Sequence, residues 1–114
     1  MTLLIREAVP DDLTQVHEII GLLARHHGDE PGISLPTLHR QVFDLGLGRL
    51  WVAAEEVGLV GYALVLVRPD LVTGGVGHDL NHLFVMEWRR RAGIGRRLID
   101  AVRSHSRAGG QSFW

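Results

Sequence analysis

The chain has 114 residues, enough for one domain with its own core but not for two. Hydrophobic residues make up 46% and charged residues 22%, as in ordinary globular proteins, and no apolar run approaches the roughly 20 residues that span a bilayer. The net charge is -1, and the absence of cysteine removes disulfides, thiolate nucleophiles and cysteine-ligated zinc. Because the N-terminus also lacks the pattern of a secretory signal, we expect a cytoplasmic protein.

The first half of the chain predicts one strand followed by two helices. Residues 3–8 have the short apolar pattern of a strand, and Pro10 with the acids after it is typical of a helix start. Apolar residues then recur at helical spacing to about Arg25, which gives the helix one buried face. After a loop over residues 26–32, a second helix begins at Ser34 or Leu35, before a first-turn proline, and ends at Gly46 and Gly48.

The second half of the chain changes to the period of strands. Two apolar runs, residues 50–54 and 59–67, flank a polar turn and predict a β-hairpin. A loop over residues 68–77 and a further strand over 79–85 follow. A helix over 93–105 comes next, and the tail 108–114 has no assigned element. This order predicts a single α+β domain over residues 1–114, with three helices and a four-stranded antiparallel sheet.

Charge is distributed unevenly along the chain. Residues 1–87 hold five arginines and twelve acidic residues, whereas residues 88–114 hold seven arginines and the single acid Asp100. This basic end is suited to anions, either a nucleic acid or a phosphate-bearing cofactor. Few aromatic residues lie among the arginines and the remainder is acidic, so the sequence favours the cofactor over nucleic acid. All the basic residues are arginine, a bias typical of GC-rich coding sequence, which predicts a bacterial source.

The segment from Leu83 to Ile99 combines the end of a strand, a short turn and the start of an amphipathic helix. Gly93 and Gly95 remove side chains where a ligand has to approach the backbone, and the free N–H groups of a helix start carry partial positive charge. Arginines on either side add donors for oxyanions. The pattern favours a phosphate site, and the alternative is an ordinary tight turn before a helix.

The run Arg90-Arg91-Ala92-Gly93-Ile94-Gly95 matches the signature Arg/Gln-x-x-Gly-x-Gly/Ala of the GNAT family of N-acetyltransferases. The chain resembles this family in its order of elements over roughly residues 3 to 107. Within the family, the run from Leu80 to Met86 looks most like the diamine acetyltransferase branch. The resemblance implies the acyl-CoA N-acyltransferase fold, with acetyl-CoA as cosubstrate, no metal, and a primary amine of a small molecule or protein as acceptor.

The resemblance also assigns roles to residues of this segment. Backbone N–H groups from about Arg91 to Arg96 would bind the CoA pyrophosphate, and the pantetheine arm would pair with the strand that ends at Phe84 and Val85. A backbone N–H at one of those two residues would polarise the thioester carbonyl and stabilise the oxyanion. The expected cofactor-binding residues are Phe84, Val85, Arg90, Arg91, Ala92, Gly93, Ile94, Gly95 and Arg96.

Direct attack by the amine requires a base with a pKa near the working pH. The diamine branch usually has a Glu-Asp pair before the apolar triad, whereas this chain has Asn81 and His82, of which only His82 can accept a proton. Asp79 or His78 could instead accept the proton through a water molecule. Of these candidates, His82 and Asp79 are the expected catalytic residues. A histidine packed in a strand is the competing interpretation, and a metal site at His78, Asp79 and His82 is disfavoured because the cluster is small.

The chain is shorter than the fold that the resemblance implies. That fold continues after the last helix with a fifth strand, a helix and a hairpin, and this later part carries a catalytic tyrosine; the tail 108–114 does not resemble a fifth strand. We therefore expect the strand over residues 79–85 to be an open edge that a second copy of the chain covers, giving a homodimer. Because the catalytic tyrosine and the acidic pair of the family are missing, a second function is also possible. In this interpretation the chain is a CoA-binding or dimerising module without catalysis.

Overall fold

The computed structural model describes residues 2–30 and 32–113, so Pro31 of the predicted loop and Trp114 of the predicted tail lie outside the described residues. The strands are β1 (Leu4–Glu7), β2 (Gly48–Glu55), β3 (Gly58–Pro69), β4 (Val76–Val85) and β5 (Ser112–Phe113). The α-helices in the described ranges are α1 (Leu13–His26), α2 (Leu35–His39) and α3 (Ile94–Ala108). Single 3-10 turns, Pro10–Asp12 and Glu87–Arg89, precede α1 and α3, and a π-helical turn, Arg40–Asp44, continues α2.

The strands form one sheet in the order β1-β2-β3-β4-β5. The first four are antiparallel neighbours, as the sequence predicted, and β5 is parallel to β4. Helices α1 and α2 cover one face of the sheet, where Leu13, Val16 and Leu38 pack with strand residues such as Tyr62. Helix α3 covers the other face with Ile94, Leu98 and Val102. The domain therefore has three layers, and each face of the sheet has its own apolar cluster.

The predicted number of strands was wrong, because the tail contributes β5. Ser112 pairs with Gly77 and Phe113 pairs with His78. A strand of two residues is too short to show a period in sequence, and tertiary contacts hold it instead. Phe113 packs against the apolar cluster under α3, and the Ser112 hydroxyl donates to Asp70 Oδ2 at 2.7 Å.

The predicted loop over residues 68–77 is also shorter in the structure, since β3 ends at Pro69 and β4 begins at Val76. Asp70 organises the turn between them: its carboxylate accepts from the N–H groups of Val72 and Thr73, and its carbonyl accepts from Gly74 N. Because these hydrogen bonds satisfy its polar atoms, Asp70 can be buried, and it is only 7% exposed.

Both predicted helix starts are confirmed in detail. Asp12 accepts a hydrogen bond from Val9 N at 2.8 Å and pairs in bidentate fashion with Arg6 at 2.7 and 3.0 Å. Ser34 is the N-cap of α2, where its hydroxyl accepts from Thr37 N at 3.2 Å. Over the ranges that the structure covers, no helix combines the length and the hydropathy required to cross a membrane.

Candidate functional site

The loop between β4 and α3, residues 86–93, is held to the sheet by two arginines. Arg89 donates from Nε to Glu55 Oε1 at 2.8 Å and from Nη2 to Oε2 at 3.2 Å, and the Glu55 side chain is 1% exposed. Arg90 donates from Nε to the Val85 carbonyl at 3.0 Å. A bidentate arginine–carboxylate pair fixes orientation as well as distance, so the loop has a defined conformation.

The backbone of this loop enters the left-handed region twice before α3 begins. Arg91 has φ 68°, and Gly93, the N-cap of α3, has φ 78°. The first intrahelical bond runs from Arg97 N to Gly93 O at 3.0 Å, so the N–H groups of residues 94–96 have no partner within the helix. Such N–H groups form a positive concavity suited to anions. A Cβ at Gly93 would have no atom within 4 Å, so this concavity is open.

Exposed arginines surround the concavity. Arg90, Arg91, Arg96 and Arg97 are exposed, and in the part of the chain that the structure covers the ion pairs are made by other residues. Their charges are therefore available to an anion. A groove of about 620 Å³ runs beside the loop between β4 and α3, lined by Leu83, Gly95, Arg96, Ile99, Asp100 and Arg103. The loop and this groove together form the concave region of the candidate site.

The end of β4 presents its backbone to this groove. Met86 N donates to Val60 O at 2.8 Å, and a Cβ at Gly61 would lie 2.8 Å from Phe84 O, so the backbones of Met86 and Phe84 face β3. Backbone groups alternate in direction along a strand, which turns the N–H and C=O of Val85 toward the open edge. The carbonyl of Val85 accepts from Arg90 on that side. Of the two predicted oxyanion donors, Val85 therefore has the N–H that faces the edge.

A β-bulge interrupts β4 in front of this edge. Leu64 pairs with His82 and Val65 pairs with Leu80, which leaves Asn81 as the extra residue. Bulges are common next to active sites because they redirect a side chain. His82 shares a face with Phe84 because side chains alternate along a strand, and the bulge before His82 turns both toward the face covered by α1 and α2.

His82 contacts a buried tyrosine. His82 Nδ1 lies 3.1 Å from the Tyr62 hydroxyl, and the two rings meet edge to face, with centroids 5.3 Å apart and planes at 89°. Tyr62 is fully buried and also packs against Phe84 at 5.7 Å. Burial lowers the pKa of His82 below its ordinary value of 6.5 and raises the pKa of Tyr62 to about 12. At neutral pH both side chains are therefore uncharged.

The structure does not bring the other predicted catalytic residues to His82. Asp79 lies beyond the bulge and pairs with Arg68 at 3.3 Å. His78 is buried under α3, where its Nδ1 lies 2.7 Å from the Ser106 hydroxyl. The three side chains face different partners, and residues 2–30 and 32–113 contain no group of three or more histidine, aspartate or glutamate side chains that could hold a metal ion.

Sequence reasoning missed three residues of this region, Glu55, Arg89 and Tyr62. Glu55 lies in the polar turn that the sequence predicts between the hairpin strands. It is buried because it pairs with Arg89, which lies 34 positions later in the chain. Tyr62 lies in the second apolar run of the predicted hairpin, where its position alone suggests no role beyond the core. A buried acid opposite an arginine-rich loop was a usable signal, but the contact between Tyr62 and His82 depends on the bulge at Asn81 and was not visible in sequence.

Comparison with known proteins gives one family. The family model described as acetyltransferase (GNAT) domain matches residues 46–113. The protein named Probable N-acetyltransferase 14 from Bos taurus is 40% identical over 63 residues, which cover 55% of this chain and 30% of that protein. The chain thus spans less than a third of the length of this curated relative.

Solved structures agree on the fold. The ribosomal-protein-alanine N-acetyltransferase from Brucella melitensis biovar Abortus 2308 superposes with a TM-score of 0.81 at 18% identity, covering 99% of this chain and 77% of that one. A predicted acetyltransferase with acetyl-CoA from Clostridium acetobutylicum superposes with a TM-score of 0.78 at 16% identity, covering 99% of this chain and 79% of that one. At these identities the likeness establishes the shared fold.

Proposed function

The chain belongs to the GNAT acetyltransferase family, and from this membership we propose that it transfers an acetyl group from acetyl-CoA to a primary amine of a small molecule or protein. The observation that carries the proposal is the concavity before α3. There, positive φ angles at Arg91 and Gly93 leave N–H groups open beside arginines that no acid neutralises in the described residues. A pyrophosphate is the anion that this arrangement suits best.

The proposed cofactor site extends from the loop to the edge of β4. The N–H groups of residues 91–96 bind the pyrophosphate, with the side chains of Arg90, Arg91 and Arg96 near it. The pantetheine arm lies along the groove and pairs with the backbone at Val85, since the backbone groups of Phe84, the other residue expected there, face β3. The N–H of Val85 faces this edge and is the donor for the thioester oxygen. The crystal structure of the predicted acetyltransferase from Clostridium acetobutylicum was determined with acetyl-CoA, which supports the choice of this cosubstrate.

In the proposed reaction the amine nitrogen attacks the acetyl carbonyl carbon, a C–N bond forms, and the C–S bond breaks with the electron pair leaving on sulfur. The amine also loses a proton. All three candidate titratable residues lie on β4, but Asp79 is held by Arg68 and His78 is buried against Ser106, whereas His82 lies two residues before Phe84, at the end of β4 that borders the site. His82 is therefore the titratable side chain that we assign to the reaction centre.

Ligand-dependent unfolding tests the cofactor site. Acetyl-CoA at 100 times its dissociation constant should stabilise the chain by about 2.7 kcal/mol. Free CoA should stabilise it as well, whereas acetyl-pantetheine, which lacks the pyrophosphate and nucleotide, should have a much smaller effect. Equal stabilisation by acetyl-pantetheine and acetyl-CoA would show that the loop binds no pyrophosphate, and the absence of an effect from all three would exclude the site.

Thiol release from acetyl-CoA in the presence of amines tests the reaction. A diamine, an aminoglycoside, a free amino acid, a lysine peptide and a peptide with N-terminal alanine sample the proposed acceptor classes. The last is included because one structural neighbour is a ribosomal-protein-alanine N-acetyltransferase. Binding of acetyl-CoA without thiol release for any amine would favour the second candidate, a CoA-binding module. That candidate is supported by Asn81, an amide with no basic group, at the bulge.

We further propose that a second copy of the chain covers the edge of β4. In the described residues β5 pairs with Gly77 and His78 alone, which leaves the edge from Asp79 to Val85 without a strand partner. Leu83 on this edge is 37% exposed. Unpaired strand edges recruit other strands. Sedimentation at micromolar concentration should show a dimer. Acetyl-CoA should weaken this dimer, because pantetheine needs the same edge at Val85. A monomer under all conditions would contradict the proposal.

A further inference from the structure

The Tyr62 hydroxyl has one described partner, His82 Nδ1 at 3.1 Å. The Tyr62 side chain is fully buried in the cluster between the sheet and α1. A buried hydroxyl can donate one hydrogen bond, and leaving that donor without an acceptor is costly. Within the described residues, His82 Nδ1 is therefore the atom that decides where the hydroxyl proton points.

Two arrangements of protons are possible for this pair. If Nδ1 carried a proton and donated it to the Tyr62 oxygen, the hydroxyl proton would have no acceptor in the described residues. If the Tyr62 hydroxyl donates to Nδ1, both groups are satisfied. Burial raises the pKa of Tyr62 to about 12, so the hydroxyl keeps its proton in both arrangements. The second arrangement is favoured because it alone gives that proton an acceptor among the described residues. A neutral imidazole that accepts at Nδ1 carries its proton on Nε2.

Resting on the acetyl transfer proposed above, we infer that Tyr62 is a positioning residue: it holds His82 in the tautomer with the proton on Nε2, so that His82 donates a hydrogen bond to the acetyl carbonyl oxygen. The oxygen gains negative charge as the C–N bond forms and loses it when the C–S bond breaks. His82 keeps its proton throughout, the amine proton passes to water, and sulfur leaves with the electron pair of the C–S bond.

This role differs from the base role that the sequence suggested for His82. A base needs a free lone pair, and in the favoured arrangement the lone pair at Nδ1 is taken by the Tyr62 hydroxyl. A neutral imidazole that polarises a carbonyl is an established catalytic arrangement, found in triosephosphate isomerase. The edge-to-face packing of the two rings, with planes at 89°, also restricts rotation of the imidazole.

Nitrogen-15 NMR of the histidine side chains tests the tautomer directly. At pH 8 the full chain should show His82 with a proton on Nε2 and none on Nδ1, assigned by the loss of these signals in His82→Ala. Tyr62→Phe keeps the ring but removes the hydroxyl, and should give a mixture of tautomers. Acetyl-CoA without an amine should shift the Nε2 signal. A proton on Nδ1 in the unchanged chain, or the same tautomer in Tyr62→Phe, would overturn the inference.

Kinetics separate a donor from a base. The amide nitrogen of glutamine can replace Nε2–H but cannot accept a proton, so His82→Gln should retain about ten-fold more transfer activity than His82→Ala, which loses a donor to the oxyanion. Equal losses in the two variants would indicate a base and contradict the donor role. If the unchanged chain transfers acetyl to no amine, the proposed function fails, whereas the NMR tautomer and the Nε2 shift still decide the inference.

Discussion

Gly93 and Gly74 have nearly the same positive φ angle in different surroundings. Their φ angles are 78° and 79°, and a Cβ at either position would have no atom within 4 Å. Gly93 begins α3 beside the arginines, whereas Gly74 lies in the turn between β3 and β4. The pair therefore separates the cost of a left-handed backbone from the cost of a Cβ in the proposed pyrophosphate site.

Replacing either glycine by alanine should lower the free energy of unfolding by about 1 kcal/mol, because alanine disfavours positive φ. Gly93→Ala should in addition weaken acetyl-CoA binding about ten-fold or more, since its Cβ projects into the space that the phosphate needs. Denaturant unfolding and calorimetric titration measure the two effects. Equal acetyl-CoA affinity in Gly93→Ala and Gly74→Ala would contradict the proposed site.

Arg89 is an arginine of the loop whose role is structural. Removing it in Arg89→Ala leaves the Glu55 carboxylate buried without its partner, and should destabilise the chain by about 2–3 kcal/mol, below the upper range for buried pairs because Arg89 is 25% exposed. Arg97→Ala, at an exposed arginine next to the same loop, is the control and should change stability by less than about 0.5 kcal/mol. Similar unfolding midpoints for both variants would show that the ion pair contributes little.

At the scale of elements, the close approach of β3 to β4 positions the edge of the site. A Cβ at Gly61 would lie 2.8 Å from the Phe84 carbonyl oxygen, which belongs to the backbone and cannot move alone. Gly48 in β2 is the comparison, since its nearest contact would be 3.5 Å from Val65 O, an ordinary distance. Both are strand glycines without a positive φ.

Gly61→Ala should push β4 away from β3 and lower stability by about 1–3 kcal/mol, whereas Gly48→Ala should cost less than that. Because Phe84 and Val85 move with β4, Gly61→Ala should also weaken acetyl-CoA binding. Amide hydrogen exchange should locate the disturbance at the end of β4. An unfolding free energy for Gly61→Ala equal to that of Gly48→Ala would show that the strands accommodate the extra carbon.

At the scale of the whole molecule, two histidines connect stability to pH, the buried His78 and the half-buried His82. Burial lowers the pKa of both His78 and His82 below 6.5. Just below pH 6.5 the folded chain therefore binds fewer protons than the unfolded chain. The contribution of the two histidines to the free energy of unfolding is complete above pH 6.5, and it is lost as the pH falls through their pKa values in the folded chain. Asp12, whose pKa is lowered by the hydrogen bond from Arg6, contributes in a separate window below about pH 4.

The free energy of unfolding should therefore decrease between pH 7 and pH 5, above the window of Asp12. His78→Gln should show a smaller decrease over this range than the unchanged chain, whatever its stability at pH 7. His26→Gln, at an exposed position at the end of α1, should keep the full decrease. Urea unfolding at pH 7, 6 and 5 measures the slope. A slope that is the same in all three proteins would exclude His78 as a source.

The sequence predicted the elements whose pattern is local. Apolar residues at a fixed period gave the helices and the strands of the hairpin, and the glycines and arginines from Arg90 to Gly95 gave the loop and the family, which the family model confirms. Predictions of this kind succeed because a helix face, a cap such as Ser34 or a turn before a helix depends on residues close in the chain.

The tertiary structure decided what depends on residues far apart in sequence. β5 exists because Phe113 packs under α3 and Ser112 binds Asp70, contacts that a two-residue segment cannot show by itself. Glu55 is buried because Arg89 reaches it, and His82 meets Tyr62 because a bulge at Asn81 shifts the register of β4. The sequence alone therefore determined the family and located the loop that we propose binds the cofactor. The contact of His82 with Tyr62, on which the proposed tautomer rests, followed only from how the strands pair.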